Sequence, residues 1–365
     1  MRILHLIKDF GFGGAENHVR DLSNVLDETG HKVFVMAKSG KQNNLLNKGV
    51  RFIYISMNDF LAPFKVMFVV NFIKKHGIEV IHAHQRLPVF IGCMAGRITG
   101  IPVIVTVHGQ TQYDVRSRLS RKWIDKFIFV RQSTFEEAKR YGIPPEKSIL
   151  IQNGVRIVNS QDERDYNSLC YISRIDRRHS LIISMIINKV LIPIFRQFAD
   201  LKFNIVGDGD HLAVIRSEAE SINNQLGRQA VIIHGYIPDV KEIVQKSGLV
   251  LGVGRVAIET LACGVPVLSV NQKYFGGLIS RENYSFFRKN NFVAYGMESP
   301  DENKLSNELV EYLNNPRHWQ EEALRLQKRI DEDFNIFKIT ASITDIYKEL
   351  IAGTRLPRSS DKTGF

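Results

Sequence analysis

Apolar and polar positions along this chain form two successive series of short strand-like runs separated by helical stretches. In the first series the runs fall at Ile3–Ile7, Val33–Ala37, Arg51–Ile55, Val80–His82, Val103–Val107, Phe127–Val130 and Ile149–Ile151. Helical stretches such as Glu16–Leu26 and Phe135–Tyr141 lie between them. The second series has runs at Leu169–Ile172, Phe203–Val206, Val231–His234, Leu249–Leu251 and Val265–Val270. Alternation of this kind predicts parallel sheets covered on both faces, and two series predict two Rossmann-like α/β domains. The polar segment Arg156–Asn167 reads as the linker. After Asp301 the pattern turns helical, at Glu302–Asn314, Trp319–Phe334 and Ile336–Ile351. The expected division is 1–155, 166–335, a C-terminal helix at 336–352 and a flexible tail at 353–365.

Composition narrows the class. With 365 residues, 44% hydrophobic and 24% charged, the chain is long enough for two cores and ordinary for a globular protein. Cys93, Cys170 and Cys263 sit in apolar settings without metal-ligand spacing, which points to a reducing compartment and no disulfide framework. The opening MRILHLIKDF is a charged-flanked strand, so no signal peptide is expected. The apolar runs Phe60–Ile73 and Leu181–Phe195 each fall short of the roughly 18 residues a membrane span needs. An integral membrane protein is therefore not expected.

Charge is unevenly placed. Residues 1–160 carry 23 Lys and Arg against 12 Asp and Glu, which is the entire net charge of +11. That asymmetry points one domain toward a polyanion, with an anionic membrane surface, a nucleic acid and a phosphorylated acceptor as candidates.

Two glycine turns carry candidate chemistry. In Leu249–Val270 an apolar strand runs into Gly252-Val253-Gly254-Arg255, a short helix follows from about Val256, and a second strand begins after Gly264-Val265-Pro266. Glycines there let backbone N–H groups approach a ligand, and the helix N-terminus favours an anion. Arg255 is placed to reach a phosphate, and Glu259 to accept from sugar hydroxyls, so the segment reads as a sugar-nucleotide site or as an ordinary buried βαβ unit. A second turn, Phe10-Gly11-Phe12-Gly13-Gly14-Ala15-Glu16, follows the first strand. It is not the dinucleotide GxGxxG fingerprint, because position 16 is Glu.

The chain resembles glycosyltransferase family 4. The resemblance is carried by Gly13-Gly14-Ala15-Glu16, Ile81-His82-Ala83-His84, Thr106-Val107-His108-Gly109 and Gln152-Asn153-Gly154-Val155. It continues through Ser173-Arg174-Ile175-Asp176, Ile205-Val206-Gly207-Asp208-Gly209 and the run from Gly254 to Pro266. It implies a GT-B fold, two Rossmann-like domains facing across a cleft, with the last helix crossing back to the first domain. It also implies a retaining transferase that uses a nucleotide-diphosphate sugar as co-substrate, with no cofactor and no obligatory metal ion. Without a metal, the charge building on the leaving diphosphate must be met by fixed cations and N–H dipoles.

On this resemblance Arg174 binds the diphosphate, Glu259 the ribose and His108 the transferred sugar. The amides of Gly13 and Gly14 on one side, and of Val253, Gly254 and Arg255 on the other, form the phosphate cradle, with Gly252 beside them on the donor side. Glu16 and His84 are assigned to the acceptor side. Two positions depart from the family. The first Glu of its usual pair falls on Leu251, and its second phosphate cation falls on His179. The chain thus resembles a branch with a Gly-x-Gly-Arg turn that lacks the first Glu; a nucleotide-sugar-binding pseudoenzyme and a sugar-nucleotide 2-epimerase are the alternatives.

The resemblance gives the N-terminal domain to the acceptor and the C-terminal domain to the donor. Arg116, Arg118, Arg121 and Lys122 beside Trp123, together with the aromatic-rich Phe60–Lys75, suit an anionic bilayer surface. A packed Rossmann helix has the same apolar face as Phe60–Lys75. The resulting expectation is a peripheral enzyme on the cytoplasmic face of the cell membrane. It would act on a lipid-linked or polysaccharide acceptor in bacterial envelope assembly, with no nucleic-acid partner.

Overall fold

A computed structural model describes residues 1–11, 13–56, 62–109, 118–158 and 164–355, with the side chains of 118–120 and 355 excepted. The chain forms two compact units, one of Met1–Gly154 with Ile336 onward, the other of Val155–Asn335.

The first unit is built on β1 (Arg2–Asp9), β2 (Lys32–Lys38), β3 (Arg51–Tyr54), β4 (Val80–His84), β5 (Val103–Val107), β6 (Lys126–Phe129) and β7 (Ser148–Leu150). These strands pair in the order β3-β2-β1-β4-β5-β6-β7, all parallel. Successive side chains in a strand point to opposite faces, so a sheet covered on both sides needs apolar residues at every position. One face carries Leu4, Leu6, Ile81, Ala83, Val103 and Val105, packed with Val69, Val70 and Ile73 of the Ala62–His76 helix and Ile91 of the Arg86–Thr99 helix. The other carries Ile3, Ile7, Val33, Val35, Val80 and Ile104, packed with Val19, Leu22 and Leu26 of the Gly14–Glu28 helix. The same layer takes Ile339, Ile343, Ile346 and Tyr347. That spacing is one stripe of the C-terminal helix, Ile336–Arg355, which therefore belongs to the first unit as expected. The helix also runs through Gly353–Arg355, where a flexible tail was expected.

The second unit contains β8 (Asp165–Ile172), β9 (Lys202–Val206), β10 (Val231–Gly235), β11 (Ser247–Leu251), β12 (Val267–Val270) and β13 (Phe275–Leu278). Their order is β10-β9-β8-β11-β12-β13, with only β13 antiparallel. The expected strand at Val265–Val270 is shortened because Gly264 adopts φ of +66° and Pro266 precedes the first paired residue.

Two expectations need correction. In its described residues, segment Arg156–Asn167 is not a free linker. Val158 N–H donates to the Ala262 carbonyl at 3.1 Å, Arg164 donates to the carbonyls of Cys263 and Gly264 at 2.7 and 2.6 Å, and β8 already begins at Asp165. The apolar run at Leu181–Phe195 lies in a continuous 21-residue helix, Arg177–Gln197, long and apolar enough to cross a membrane by length and composition. Half of its most apolar stretch is nevertheless buried in the unit, with Ile182, Ile183, Ile186, Ile187, Val190, Leu191 and Ile194 in the core. A π-helical turn at Ile186–Val190 precedes Pro193, whose missing N–H and bulky ring disturb the hydrogen bonding of the preceding turn.

Candidate active site

In each unit the strand order reverses direction beside the first strand, at β1/β4 and at β8/β11. Open α/β sheets bind ligands outside the carboxyl ends of strands at such points. The expected donor residues of the second unit, and Gly13, Gly14, Glu16, His84 and His108 of the first, lie at these two places.

In the second unit, Leu251 pairs with Tyr171, so the loops leaving β11 and β8 start side by side. The β8 loop carries Arg174, whose side chain is exposed. Its backbone is set by the loop after β9. Ile175 N–H donates to the Asp208 carbonyl at 3.0 Å, and a Cβ on Gly207 or Gly209 would strike the carbonyls of Ser173 or Ile175. Only glycine permits that approach. Asp176 then caps the following helix, accepting from the N–H groups of Arg178 and His179 at 2.9 and 3.0 Å, while His179 Nδ1 lies 2.8 Å from the same carboxylate oxygen. Partial burial works against ionisation of Asp176, but these hydrogen bonds and the neighbouring His179 win, holding it at about 2. His179 thus faces a carboxylate, where the resemblance placed a phosphate cation.

The β11 turn holds Gly254 at φ +61°, ψ −130°, a conformation that strains any residue with a Cβ. The helix it opens begins at Arg255 rather than Val256. Arg255 and Glu259 pair with each other, Nε to Oε1 at 2.7 Å, with side-chain exposures of 9% and 24%. The expected cradle is smaller than the sequence implied. Gly254 N–H already donates to the Phe292 carbonyl at 2.7 Å, and Gly252 N–H to the Leu268 carbonyl at 3.1 Å. Val253 is half-exposed between these two buried glycines. The Phe292 carbonyl is presented by Asn291 and Phe292, both at positive φ (51° and 58°), a strained pair that the sequence did not reveal. Leu251 is fully buried in the core, so no side chain reaches the donor site from the family's first Glu position.

In the first unit, Gly13 and Gly14 open the Gly14–Glu28 helix, and Glu16 folds back so that a Cβ on Gly13 would collide with its carboxylate. Gln85, at φ +62°, donates to Glu16 Oε1 at 3.4 Å. His84 is not a surface acceptor residue. β4 extends to His84, which is fully buried, with Nε2 3.2 Å from His5 Nδ1 and Nδ1 3.0 Å from His108 Nε2. His108 is half-buried just beyond β5, and its carbonyl accepts from Arg131 at 2.7 Å. His82, also fully buried, joins Tyr347 Oη through Nδ1 at 2.6 Å and Thr106 Oγ1 through Nε2 at 2.7 Å.

Burial lowers His5 to about 3, helped by His18, and holds His82 and His84 well below the ordinary histidine value, so all three are neutral. His5, His82 and His84 offer donor atoms within 4.8 Å of one another, spacing that admits a metal ion. Both nitrogens of His82 and both of His84 are, however, already hydrogen-bonded. His5, His18 and His82 were missed as part of this site; the signal was the i, i+2 spacing of His82 and His84, which puts both on one face of a strand.

The membrane residues are only partly visible. Arg116 lies outside the described residues, as does the side chain of Arg118. Arg121 is half-buried and Lys122 exposed, but Trp123 packs on the core beneath β5 and β6, because its ring completes the apolar layer there. The Ala62–His76 helix buries Val66, Val69, Val70 and Ile73 and exposes Phe64, Met67 and Phe68 at 73%, 50% and 47%. Its last turn, Lys74–His76, joins Arg2, Lys32 and Arg51 around a cavity of about 590 Å³.

The two sheets and their arrangement of strands define the GT-B fold. Solved structures share it: a protein from Anabaena, HepE, in complex with UDP and glucose, is 18% identical, with a TM-score of 0.72 over 95% of this chain and 99% of that one. Residues 12–158 match Glycosyltransferase Family 4, and residues 167–315 match Glycosyl transferases group 1. The chain is therefore a family 4-like glycosyltransferase. Among similar proteins, the phosphatidyl-myo-inositol mannosyltransferase of Propionibacterium freudenreichii is 23% identical, covering 72% of this chain and 74% of its own. The Escherichia coli UDP-Gal:α-D-GlcNAc-diphosphoundecaprenol α-1,3-galactosyltransferase is 22% identical, covering 87% and 88%.

Proposed function

We propose that this glycosyltransferase moves a sugar from a nucleotide-diphosphate sugar to a lipid-linked or saccharide acceptor, with retention at the anomeric carbon. The observation that carries the donor reading is the placement of Arg174 and the Gly252–Glu259 segment at neighbouring strand ends of the second unit. Arg174 supplies a cation for the diphosphate as the sugar–oxygen bond breaks, and the helix opening at Arg255 supplies a positive dipole end. Glu259, steadied by Arg255, accepts from the ribose hydroxyls. The first unit takes the acceptor, with His108 facing the transferred sugar. In this reading the chain uses no cofactor, and fixed protein charges rather than a metal ion meet the leaving diphosphate.

The acceptor reading draws on the relatives named for phosphatidyl-myo-inositol and diphosphoundecaprenol substrates. With the net charge of +11 confined to residues 1–160, it favours an anionic membrane surface as partner, on the cytoplasmic face, and a role in envelope polysaccharide assembly. The exposed Phe64, Met67 and Phe68 suit insertion at that surface.

A thermal-shift screen across UDP-, GDP- and dTDP-sugars identifies the donor, because a ligand bound at 100 times its Kd stabilises by about 2.7 kcal/mol. The selected donor is then supplied with a lipid-diphosphate acceptor, and the anomeric configuration of the product is read by NMR. Inversion would overturn the mechanism, and a donor that stabilises but is neither transferred nor slowly hydrolysed would overturn the transfer reading in favour of a nucleotide-sugar-binding protein without turnover.

A further inference from the structure

The amino ends of β1, β2 and β3 gather a second set of charged groups in the first unit, at the opposite end of the sheet from the transfer chemistry. Arg2, Lys32 and Arg51 open these three neighbouring strands. Lys32 and Phe34, two residues apart, share one face of β2. The Ala62–His76 helix covers that face, with Phe72 edge-on to Phe34 at 5.4 Å, and its last turn brings Lys74, Lys75 and His76 to the same strand ends. Together these residues line the cavity of about 590 Å³.

Local contacts hold several of the basic groups in place. Arg2 Nη1 donates to the Gly77 carbonyl at 3.4 Å, and a Cβ on Gly77, which sits at φ +60°, would come within 2.4 Å of that nitrogen. The Arg51 guanidinium lies 6.0 Å from the centre of the Phe34 ring. The His76 ring centre is 4.2 Å from that of Phe72 and 5.5 Å from that of Phe34. The charge gathered here is not balanced locally. Arg2 is in register with Lys32, and like charges on neighbouring strands about 4.8 Å apart repel. Two carboxylates stand close by: Glu79 accepts from the Arg2 backbone N–H at 2.9 Å, and Asp27 lies against Gly49 of the cavity wall. Among the described residues, neither forms an ion pair with Arg2, Lys32, Arg51, Lys74 or Lys75. Lys74 and Lys75 alone would be an ordinary complement to the negative carboxyl end of their helix. That dipole accounts for none of Arg2, Lys32 and Arg51, which come from three separate strands.

We propose that this cavity is an anion site that takes a phosphate-bearing group, carried by a lipid headgroup or by a soluble molecule. Guanidinium groups offer paired N–H donors to phosphate oxygens, and the lysines add point charges beside them. The volume falls in the range of small-molecule sites and leaves room for more than the phosphate itself. The site stands on the geometry of the first unit and does not depend on the donor or acceptor reading.

The test uses the full-length chain with His76 as a local reporter. Pyrophosphate is titrated into protein labelled with ¹⁵N at histidine, the His76 resonances being assigned with His76→Gln. Saturable movement of those resonances is expected. It should need about tenfold more pyrophosphate, or more, in Arg51→Gln with Lys74→Gln, the loss of a charge-assisted hydrogen bond. Lys139→Gln with Arg140→Gln removes the same charge from exposed positions elsewhere in the unit and should bind as the wild type does. Arg51 and Lys74 are exposed as well, so both double variants should fold. This result assigns the cavity to a soluble phosphate compound. If pyrophosphate leaves His76 unmoved, co-sedimentation with phosphatidylcholine vesicles containing phosphatidic acid distinguishes the other source. Binding lost in the Arg51 and Lys74 variant, and kept in the Lys139 and Arg140 variant, assigns the cavity to a lipid headgroup. A response that both double variants share, or none in either assay, overturns the site and leaves these cations as surface charge.

Discussion

Lowering the pH from 7.5 to 5 should destabilise the Met1–Gly154 unit much more than the Val155–Asn335 unit. Burial holds His5 at about 3, with His82 and His84 shifted the same way, so all three are neutral when folded. The unfolded chain takes up these protons near pH 6.5. The stability involved is complete above about pH 6.5 and declines as pH falls toward the folded values, which for His5 means down to about 3. Each such group costs about 1.4 kcal/mol per pH unit across that window. His5 alone removes about 2 kcal/mol at pH 5, and His82 and His84 add losses of the same sign, against a typical total of about 5–15 kcal/mol. In the second unit Asp176, at about 2, acts in the opposite range: its contribution is present above about pH 4 and is lost only below that. His234 is lowered by partial burial and adds a smaller loss there.

The chain's 2 tryptophans fall one in each unit, at Trp123 and Trp319. Urea unfolding of Trp319→Phe therefore reports the first unit, and Trp123→Phe the second. The Trp123 midpoint should fall steeply between pH 6.5 and 5 while the Trp319 midpoint moves little. Parallel curves, or a flat Trp123 midpoint, would show that the histidines are not buried neutral as the geometry requires.

Gly254→Ala should cost about 1–3 kcal/mol from backbone strain alone, since the nearest atom to an added Cβ, Val293 Cγ2, is at an ordinary 3.5 Å; calorimetry of the second unit's transition checks it. Glu259→Ala should weaken nucleotide binding by roughly 1.5–3 kcal/mol, read by titration calorimetry, and Arg255→Ala should follow it because the two side chains hold each other. Arg174→Ala should lower kcat by roughly two to three orders of magnitude, with Arg174→Lys recovering only part. Binding to vesicles containing phosphatidylglycerol should weaken as salt rises and fall further on Phe64→Ser with Phe68→Ser, measured by co-sedimentation.

The strands of both sheets were legible because each is a short apolar run buried on two faces, as Val103–Val107 and Leu249–Leu251 illustrate. Legibility ended where polar residues occupy buried strand positions. The expected run Val80–His82 stops short of His84, which is the last residue of β4 and fully buried. Its partners are 24 and 79 residues away, His108 and His5, and those of His82 include Tyr347, 265 residues on. A polar side chain is stable in such a place only when distant segments satisfy it, and no local pattern records that condition. Polar composition misled in the same way at Arg156–Asn167, where Arg164 is held by carbonyls about 100 residues downstream.

The glycine turn of the second unit shows the same limit from the opposite side. Its sequence marks a position where glycine is needed, and Gly254 does adopt a conformation that glycine favours. What approaches Gly254 N–H is the chain itself, through the Phe292 carbonyl. An amide engaged at 2.7 Å cannot also serve a phosphate without giving up that bond, so the proposed mechanism relies on charged side chains more than a three-amide cradle would require. That shifts the weight of the proposed chemistry toward Arg174, and it makes Phe292 a structural determinant of where Arg255 begins its helix. Phe292→Ala should therefore disturb the donor turn through lost packing against Phe287 and Phe334. Donor affinity should fall even though the carbonyl itself is retained. Unchanged affinity in a folded Phe292→Ala protein would show that the turn holds its conformation without this support.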